Sequence, residues 1–338
     1  MTTTSTRRRA TGGAQPAELA DPAGYPVAAP DPLREPWPTE EVEVGAERIT
    51  VRNTPSANPD AEPALYLHGL GGASTNFTDL ADLLSPWLVG QAIDLPGFGR
   101  SGPPADEDYT IAGRSRLVID HLERSGRGPV HLVGNSMGGA IAIQVADRRP
   151  DLVRTLTLIS PAVPDLRLRR GSDVLLPMLL IPGIGSRMLA RVEQVPPKRR
   201  AQAVIELCFA HPERVPPNRL AEVAAEIEAR RDYAWAGDAF MRSFRGLVRS
   251  YLVTGRRSAW QALARIELPS LVIWGERDRL VHVSNAAKVA AMLPDSRLLV
   301  LPDVGHTAQL EDPTSTARAI LALTTRANDG RTGADVAG

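Results

Sequence analysis

Cysteine and histidine are scarce in this 338-residue chain, which has one cysteine, Cys208, and six histidines. A single cysteine cannot form an internal disulfide, and in a helical stretch it is expected to be a small buried hydrophobic residue. These residues are not clustered at the spacings that metal ligands show. We therefore expect a fold held together by its apolar core, with no disulfide and no metal site.

Charge of one sign is not in excess either, since 39 lysines and arginines balance 39 aspartates and glutamates. No single stretch of the chain collects the basic residues, which argues against a nucleic acid partner. Hydrophobic residues make up 43% of the chain, an ordinary share for a protein with a large core. These features predict a globular protein with a large core, for which a nucleic acid is not the main partner.

Long apolar runs are absent as well. The longest, Val174 to Ile184, is too short to cross a bilayer and is interrupted by two prolines. Residues 1–38 are rich in Thr, Pro, Ala and Gly and lack the apolar segment of a signal peptide, so a disordered N-terminal tail is expected. Residues 327–338 predict a flexible C-terminal tail. We expect no stable membrane insertion and a cytoplasmic location.

The chain does contain a Gly-x-Ser-x-Gly turn between an apolar, β-branched run and a helix-forming stretch. Residues 130–133 are predicted as a buried strand, 134–138 as the turn and 140–149 as a helix. This order is typical of the nucleophile elbow, which exposes a serine hydroxyl above a parallel sheet. The helix N-terminus next to Ser136 also favours developing negative charge. Because the five-residue pattern is degenerate, the rest of the chain must support it.

A serine hydroxyl becomes a good nucleophile only when a base takes its proton and another group orients that base. Two downstream segments supply candidates: Asp278 follows a predicted strand at 271–275, and His306 follows another at 297–301. Both lie past the carboxyl ends of strands, the edge where open α/β sheets form their sites. The chain order Ser136, Asp278, His306 is the order found with the nucleophile elbow.

Four motifs together resemble α/β-hydrolase-fold enzymes of the serine-nucleophile, esterase- and lipase-like branch. The resemblance implies an α/β fold, the α/β-hydrolase fold, with a mostly parallel sheet of about eight strands, helices on both faces and a helical cap insertion. The motifs are the His-Gly turn in Leu65 to Gly72, the loop Asp94 to Ser101, the elbow itself, and the paired Gly-x-x-Asp and Gly-His segments that carry Asp278 and His306.

The pattern of elements predicts the same organisation. Strands and helices alternate up to a strand at 152–159, which implies a parallel sheet covered by helices. The sequence from about residue 163 then has no clear strand, and it contains amphipathic stretches before the sheet resumes. We expect a core formed by residues 39–162 and 263–326, and a helical cap formed by residues 163–262.

The resemblance also implies a mechanism. His306 would remove the Ser136 proton, Asp278 would stabilise the imidazolium, and the backbone N–H groups of Met137 and Leu70 would form the oxyanion hole. The partner that this resemblance implies is a small-molecule substrate, and the expected reaction is hydrolysis of a carboxylic ester with a small to medium apolar acyl group. It passes through an acyl-enzyme and needs no cofactor.

Other acids and histidines are weaker candidates. Asp165 follows the strand at 152–159, where some relatives place the acid, and Glu276 and Asp303 lie near the two predicted site residues. His68 is expected to pack the His-Gly turn. The remaining histidines lie inside predicted elements or lack a partner motif: His121, His131, His211 and His282.

One departure leaves the reaction open. Asn135 precedes the serine where many such esterases have His, and Asn-Ser-Met-Gly-Gly resembles the meta-cleavage-product hydrolases, which split C–C bonds. Asn76 could match a polar residue of their oxyanion loop. Those enzymes usually carry Trp directly after the catalytic His, and here Thr307 stands there. C–C hydrolysis is therefore the alternative, and a non-catalytic small-ligand receptor is a third hypothesis.

The apolar run Val174 to Ile184 lies in the expected cap. It would suit the roof of an acyl pocket, with Met178 and Leu180 as lining residues and Asn135 at the floor. The other interpretation is that the run packs the cap onto the core.

Overall fold

One sheet organises the computed structural model, which describes residues 18–19, 24–165, 180–181 and 183–335. Eight of its strands have six to eight residues, and a two-residue strand adds to the edge, so the predicted sheet of about eight strands is confirmed. The strands are β1 (Glu18–Leu19), β2 (Thr39–Val44), β3 (Glu47–Thr54), β4 (Glu62–Leu67), β5 (Leu88–Asp94), β6 (Val130–Asn135), β7 (Val153–Ile159), β8 (Ser270–Gly275) and β9 (Ser296–Leu301).

The strand order is β1-β9-β8-β7-β6-β4-β5-β3-β2. Only the pairs of β3 with β2 and with β5 are antiparallel, and every other pair is parallel. The central strands β6 and β8 are buried along their whole length, as expected for parallel strands covered on both faces. The carboxyl ends of β4 and β6 to β9 therefore share one edge of the sheet.

Helices cover both faces of the sheet. They are α1 (Thr78–Leu84), α2 (Ile111–Ser125), α3 (Met137–Arg148), α4 (Ile184–Glu193), α5 (Pro197–Cys208), α6 (Pro217–Ala229), α7 (Ala236–Tyr251), α8 (Ala259–Leu263), α9 (Ala286–Met292), α10 (Ala308–Glu311) and α11 (Pro313–Asp335). One apolar cluster joins the sheet to α2, α3, α8 and α9, and a second joins it to α1, α10 and α11.

Local signals explain several boundaries. The hydroxyl of Thr110 accepts a hydrogen bond from the N–H of Gly113 at the start of α2, and Gly126 ends that helix in the left-handed conformation with φ 61°. The sequence of this span has helical periodicity, and the apolar residues Ile111, Leu117, Val118 and Leu122 are all buried. None of the described helices has the length and apolarity required to span a membrane.

The segment between β7 and β8 is helical over its described part, which contains α4 to α8 and no strand. It rests on the core through specific contacts. The Arg219 guanidinium of α6 bonds to the Asp79 carboxylate of α1, and Arg114 of α2 donates to the Ser243 hydroxyl of α7 at 2.8 Å. The boundaries 163–262 remain our proposal for a cap domain.

The described parts of both predicted tails make contacts with the core. Residues 24–38 pack against the core: Val27 is buried, and Arg34 pairs with Asp82 at 3.0 Å. Helix α11 continues to Asp335, and the Asn328 amide donates to Glu62 at 3.0 Å. A prediction from local composition cannot include these contacts, because their partners lie far away along the chain.

Candidate active site

Ser136 lies between β6 and α3 with backbone angles φ 54° and ψ −116°. A non-glycine residue in this region costs about 1–3 kcal/mol, and such strain persists only where the surroundings impose it. The elbow is fixed by its backbone: the Ser136 N–H donates to the Ile159 carbonyl at 3.0 Å, and the Ser136 carbonyl accepts from Ala140 and Ala162. A Cβ on Gly138 would collide with the Leu67 carbonyl, which explains the glycine.

Asp278 and His306 meet at the same edge of the sheet. The Asp278 Oδ2 lies 2.8 Å from the His306 Nδ1, and both side chains are buried. The other carboxylate oxygen accepts the N–H groups of Leu280 and Val281 at 2.8 and 2.9 Å. These bonds hold the carboxylate behind the imidazole. The Nε2 nitrogen is then the one left to accept a serine proton.

Asn135 connects the elbow with the histidine loop. Its side-chain amide donates to the backbone carbonyl of Ile159 and to that of His306, each at 3.1 Å. The residue directly before the nucleophile therefore fixes the backbone of the candidate base. This contact gives Asn135 a structural role at the site, and the serine motif alone did not predict it.

The loop after β4 passes directly beside Ser136. A Cβ on Gly69 would lie 3.1 Å from the Ser136 Cβ, so any side chain there would crowd the serine. Leu70 directly follows this glycine, and Met137 directly follows Ser136 at the start of α3. The two candidate oxyanion-hole residues are thus each next in sequence to a residue at the nucleophile.

His68 holds this loop through its ring. Its Nε2 accepts the Leu95 N–H at 3.0 Å, and its Nδ1 therefore donates to the Gly69 carbonyl at 2.7 Å. Complete burial lowers the pKa of His68 to about 4, which keeps the ring neutral in this arrangement. Both ring nitrogens are used by the backbone, as expected for a histidine that packs the turn.

Glu311, which the sequence analysis missed, joins the histidine loop to the helical segment. Its carboxylate accepts the N–H of Gly305 at 2.6 Å and the N–H groups of Ala210 and His211 at 3.1 and 2.8 Å. Beside it, the His306 N–H donates to the Cys208 carbonyl at 2.6 Å. The available signal was an acid five residues after His306, at the end of the short helix α10.

The competing acids have other partners or face solvent. Asp165 accepts a hydrogen bond from Asn285 at 3.0 Å, Asp303 pairs with Arg277 at 2.8 Å, and Glu276 is exposed. The other histidines likewise bond elsewhere: His131 to Thr155 and Glu62, His121 to Gln91, His211 to Glu213 and Arg277, and His282 to Ser284. None of these bonds brings a second acid to His306.

The structure describes only some of the residues predicted to line the pocket. Met178 lies outside the described residues, and Leu180 is half-buried. Asn76 accepts the Ala73 N–H at 3.1 Å and so stabilises its own turn. Phe240 of α7, which the sequence did not single out, packs over the oxyanion loop: a Cβ on Gly71 would lie 3.3 Å from its ring.

A family model described as the alpha/beta hydrolase fold matches residues 63–313, which is most of the chain. The chain belongs to this family. The match spans the elbow and both strands that carry Asp278 and His306, and lipase relatives agree with it. This member of the family is a hydrolase.

Three comparisons illustrate the similarity. Lipase 3 of Moraxella sp. (strain TA144) is 26% identical over 269 residues, 77% of this chain and 76% of that lipase. The 2-hydroxy-6-oxo-6-phenylhexa-2,4-dienoate hydrolase of Burkholderia cepacia is 24% identical over 260 residues, 74% of this chain and 83% of that enzyme. The crystal structure of a membrane phospholipase A, a bacterial virulence factor, superposes with a TM-score of 0.70 at 25% identity and 86% coverage of both chains.

Proposed function

We propose that this hydrolase cleaves a carboxylic ester with a small to medium apolar acyl group, using Ser136, His306 and Asp278. The observation that carries the proposal is the buried 2.8 Å bond between Asp278 and His306 at the sheet edge where Ser136 occupies a strained elbow. A strained, buried serine (8% exposed) at the same sheet edge as an oriented imidazole serves nucleophilic catalysis better than packing. Similarity to lipases supports an ester as the substrate.

The proposed reaction has two halves. His306 takes the Ser136 proton as the hydroxyl attacks the ester carbonyl, and the backbone N–H groups of Leu70 and Met137 stabilise the oxyanion. His306 then returns the proton to the leaving alcohol. Water, activated by the same imidazole, attacks the acyl-enzyme and releases the acid, which restores the free serine.

C–C bond hydrolysis is the second candidate, supported by similarity to the dienoate hydrolase. The sequence argument for C–C hydrolysis depended on Asn135. The hydrogen bonds of Asn135 to Ile159 and His306 explain an asparagine at this position without any contact to substrate. We therefore rank ester hydrolysis first. A non-catalytic receptor would not need the Asp278 to His306 pair.

One experiment separates these functions. The purified protein is treated with a fluorophosphonate probe and assayed on p-nitrophenyl acyl esters and on a ring-fission dienoate. We expect labelling at Ser136, loss of both labelling and turnover in Ser136→Ala by on the order of 10⁶-fold, and kcat/KM on esters at least ~10² above the dienoate. A preference for the dienoate would show that the reaction is C–C bond hydrolysis, with Arg187 and Arg191 as the candidate anion-binding groups. Binding without turnover of either would favour the receptor.

A further inference from the structure

Residues 239–266 contain six arginines and no acidic residue, a local excess that the balanced charge of the whole chain conceals. Two of them have acidic partners elsewhere: Arg242 pairs with Glu107 and Arg265 with Asp147. The other four are exposed, and within the part of the chain that the structure describes none of them forms an ion pair: Arg245, Arg249, Arg256 and Arg257. Positive charge on this surface is therefore not neutralised by the protein.

These arginines surround an exposed apolar tip. Arg245, Arg249 and Leu252 follow at spacings of four and three residues, which places them on one side of α7 and of the turn that ends it. Leu252 is 65% exposed and Val253 40% exposed. Gly255, with φ 64°, then turns the chain so that Arg256 and Arg257 follow directly. We call residues 245–257 the arginine tip.

A groove continues the same surface. It has a volume of about 590 Å³ and is lined among others by Val253, Arg256 and Trp260. The Lys288 ammonium of α9 lies 3.5 Å from the centre of the Trp260 ring. A second element thus adds a cation beside the apolar tip, and the groove has room for a group larger than a water molecule.

We propose that the arginine tip docks on an anionic lipid surface. Arginine binds phosphate oxygens in a bidentate manner, and the exposed Leu252 and Val253 would enter the acyl boundary between headgroups. A polar polyanion such as a nucleic acid would use the arginines but gain nothing from a leucine that is two-thirds exposed. Since the whole chain carries no net charge, the attraction would come from this local excess of arginine and would orient the protein.

The test measures binding by the full chain and needs no turnover, so its outcome does not depend on the proposed ester chemistry. The protein is sedimented with vesicles of phosphatidylcholine alone or mixed with phosphatidylglycerol. We expect binding to the anionic vesicles only, weakening as salt is added. Arg249→Gln and Arg256→Gln should each weaken binding about five-fold. Leu252→Asp should weaken it as well.

Arg124→Gln is the matched control. Arg124 is exposed at the far end of α2, roughly 20 Å along that helix from the end that contacts α7 at Gly246. It should bind like the wild type. The proposal is overturned if the protein does not bind anionic vesicles at low salt, or if Arg124→Gln weakens binding as much as Arg249→Gln. It is also overturned if Leu252→Asp binds as tightly as the wild type. In the last case, arginine-dependent binding of a single-stranded oligonucleotide would identify a polyanion site instead.

Discussion

The side-chain amide of Asn135 donates to the backbone carbonyl of His306 across 171 residues of sequence, at 3.1 Å. The same amide bonds to Ile159, so one side chain ties together the ends of β6, β7 and the loop after β9. The candidate nucleophile and the candidate base are therefore positioned by a shared residue. Its loss should affect both the fold and the chemistry.

Asn135→Leu should leave the buried His306 carbonyl oxygen without its side-chain donor, while the Ile159 carbonyl keeps the Ser136 N–H. An unsatisfied buried group costs about 1–3 kcal/mol, so we expect the free energy of unfolding to fall by that amount and kcat to fall with it. Denaturant unfolding and ester kinetics measure the two effects. Asn58→Ala is the control and should cost less than Asn135→Leu, because its two side-chain hydrogen bonds, to Asp60 and Pro86, are exposed and water can replace them. An unchanged kcat in Asn135→Leu would limit the residue to folding.

The acid assignment can be tested by a pair of variants. Asp278→Asn should lower kcat/KM by roughly 10⁴-fold because the imidazole loses the partner that fixes its tautomer. Asp165→Asn should have a small effect, since that carboxylate bonds to Asn285 rather than to His306. Similar melting temperatures would show that both variants are folded. If the larger loss came from Asp165→Asn, the acid role would move there.

The sequence predicted this fold well where one short segment contains the whole signal. The elbow, α2 and the buried strands each carry their own pattern of apolar residues, glycines and caps. The contacts that complete the site were not predictable in the same way. Phe240 lies over Gly71 and Glu311 bonds to Ala210 only because segments more than a hundred residues apart meet in the folded chain.

The Glu311 carboxylate and the three N–H groups that it accepts, those of Gly305, Ala210 and His211, form a clamp on the histidine loop. Two substitutions of Glu311 should lower activity to different degrees. Glu311→Ala removes the acceptor for three N–H groups and frees the loop that carries His306, and a misplacement of about 1 Å can cost on the order of 10²-fold in rate. Glu311→Gln keeps one acceptor oxygen, so it should fall between Glu311→Ala and the wild type. Both variants should slow fluorophosphonate labelling as much as kcat while KM changes little.

Glu276→Ala is the control for this series, because Glu276 is an exposed acid close in space to the same loops. It should label and turn over like the wild type. A fall in melting temperature with unchanged labelling in Glu311→Ala would show that the clamp supports the fold without positioning His306.

Two buried histidines make stability depend on pH. Burial lowers the pKa of His68, and also that of His121, from 6.5 to about 4. Between those values the unfolded chain binds more protons than the folded one. The free energy of unfolding should therefore be highest above pH 6.5, and it should fall as the pH drops towards 4. Urea unfolding at a series of pH values checks this. His121→Gln should reduce the pH dependence, and an unchanged slope would contradict the role of His121.

The helical segment between β7 and β8 should set the acyl-chain preference. Each methylene that enters an apolar pocket contributes ~0.8 kcal/mol, or about four-fold in kcat/KM, until the pocket is full. Rates on p-nitrophenyl esters should therefore rise from acetate to a medium chain and then fall. Leu180→Asp should flatten the rise and retain acetate hydrolysis, because Leu180 is half-buried.

The neighbouring Ile181→Asp is the matched control, since that side chain is 46% exposed. It should keep the wild-type profile. The wild-type profile in Leu180→Asp would show that this part of the segment packs against the core and does not line the acyl pocket. Phe240 would then be the next candidate for a lining residue.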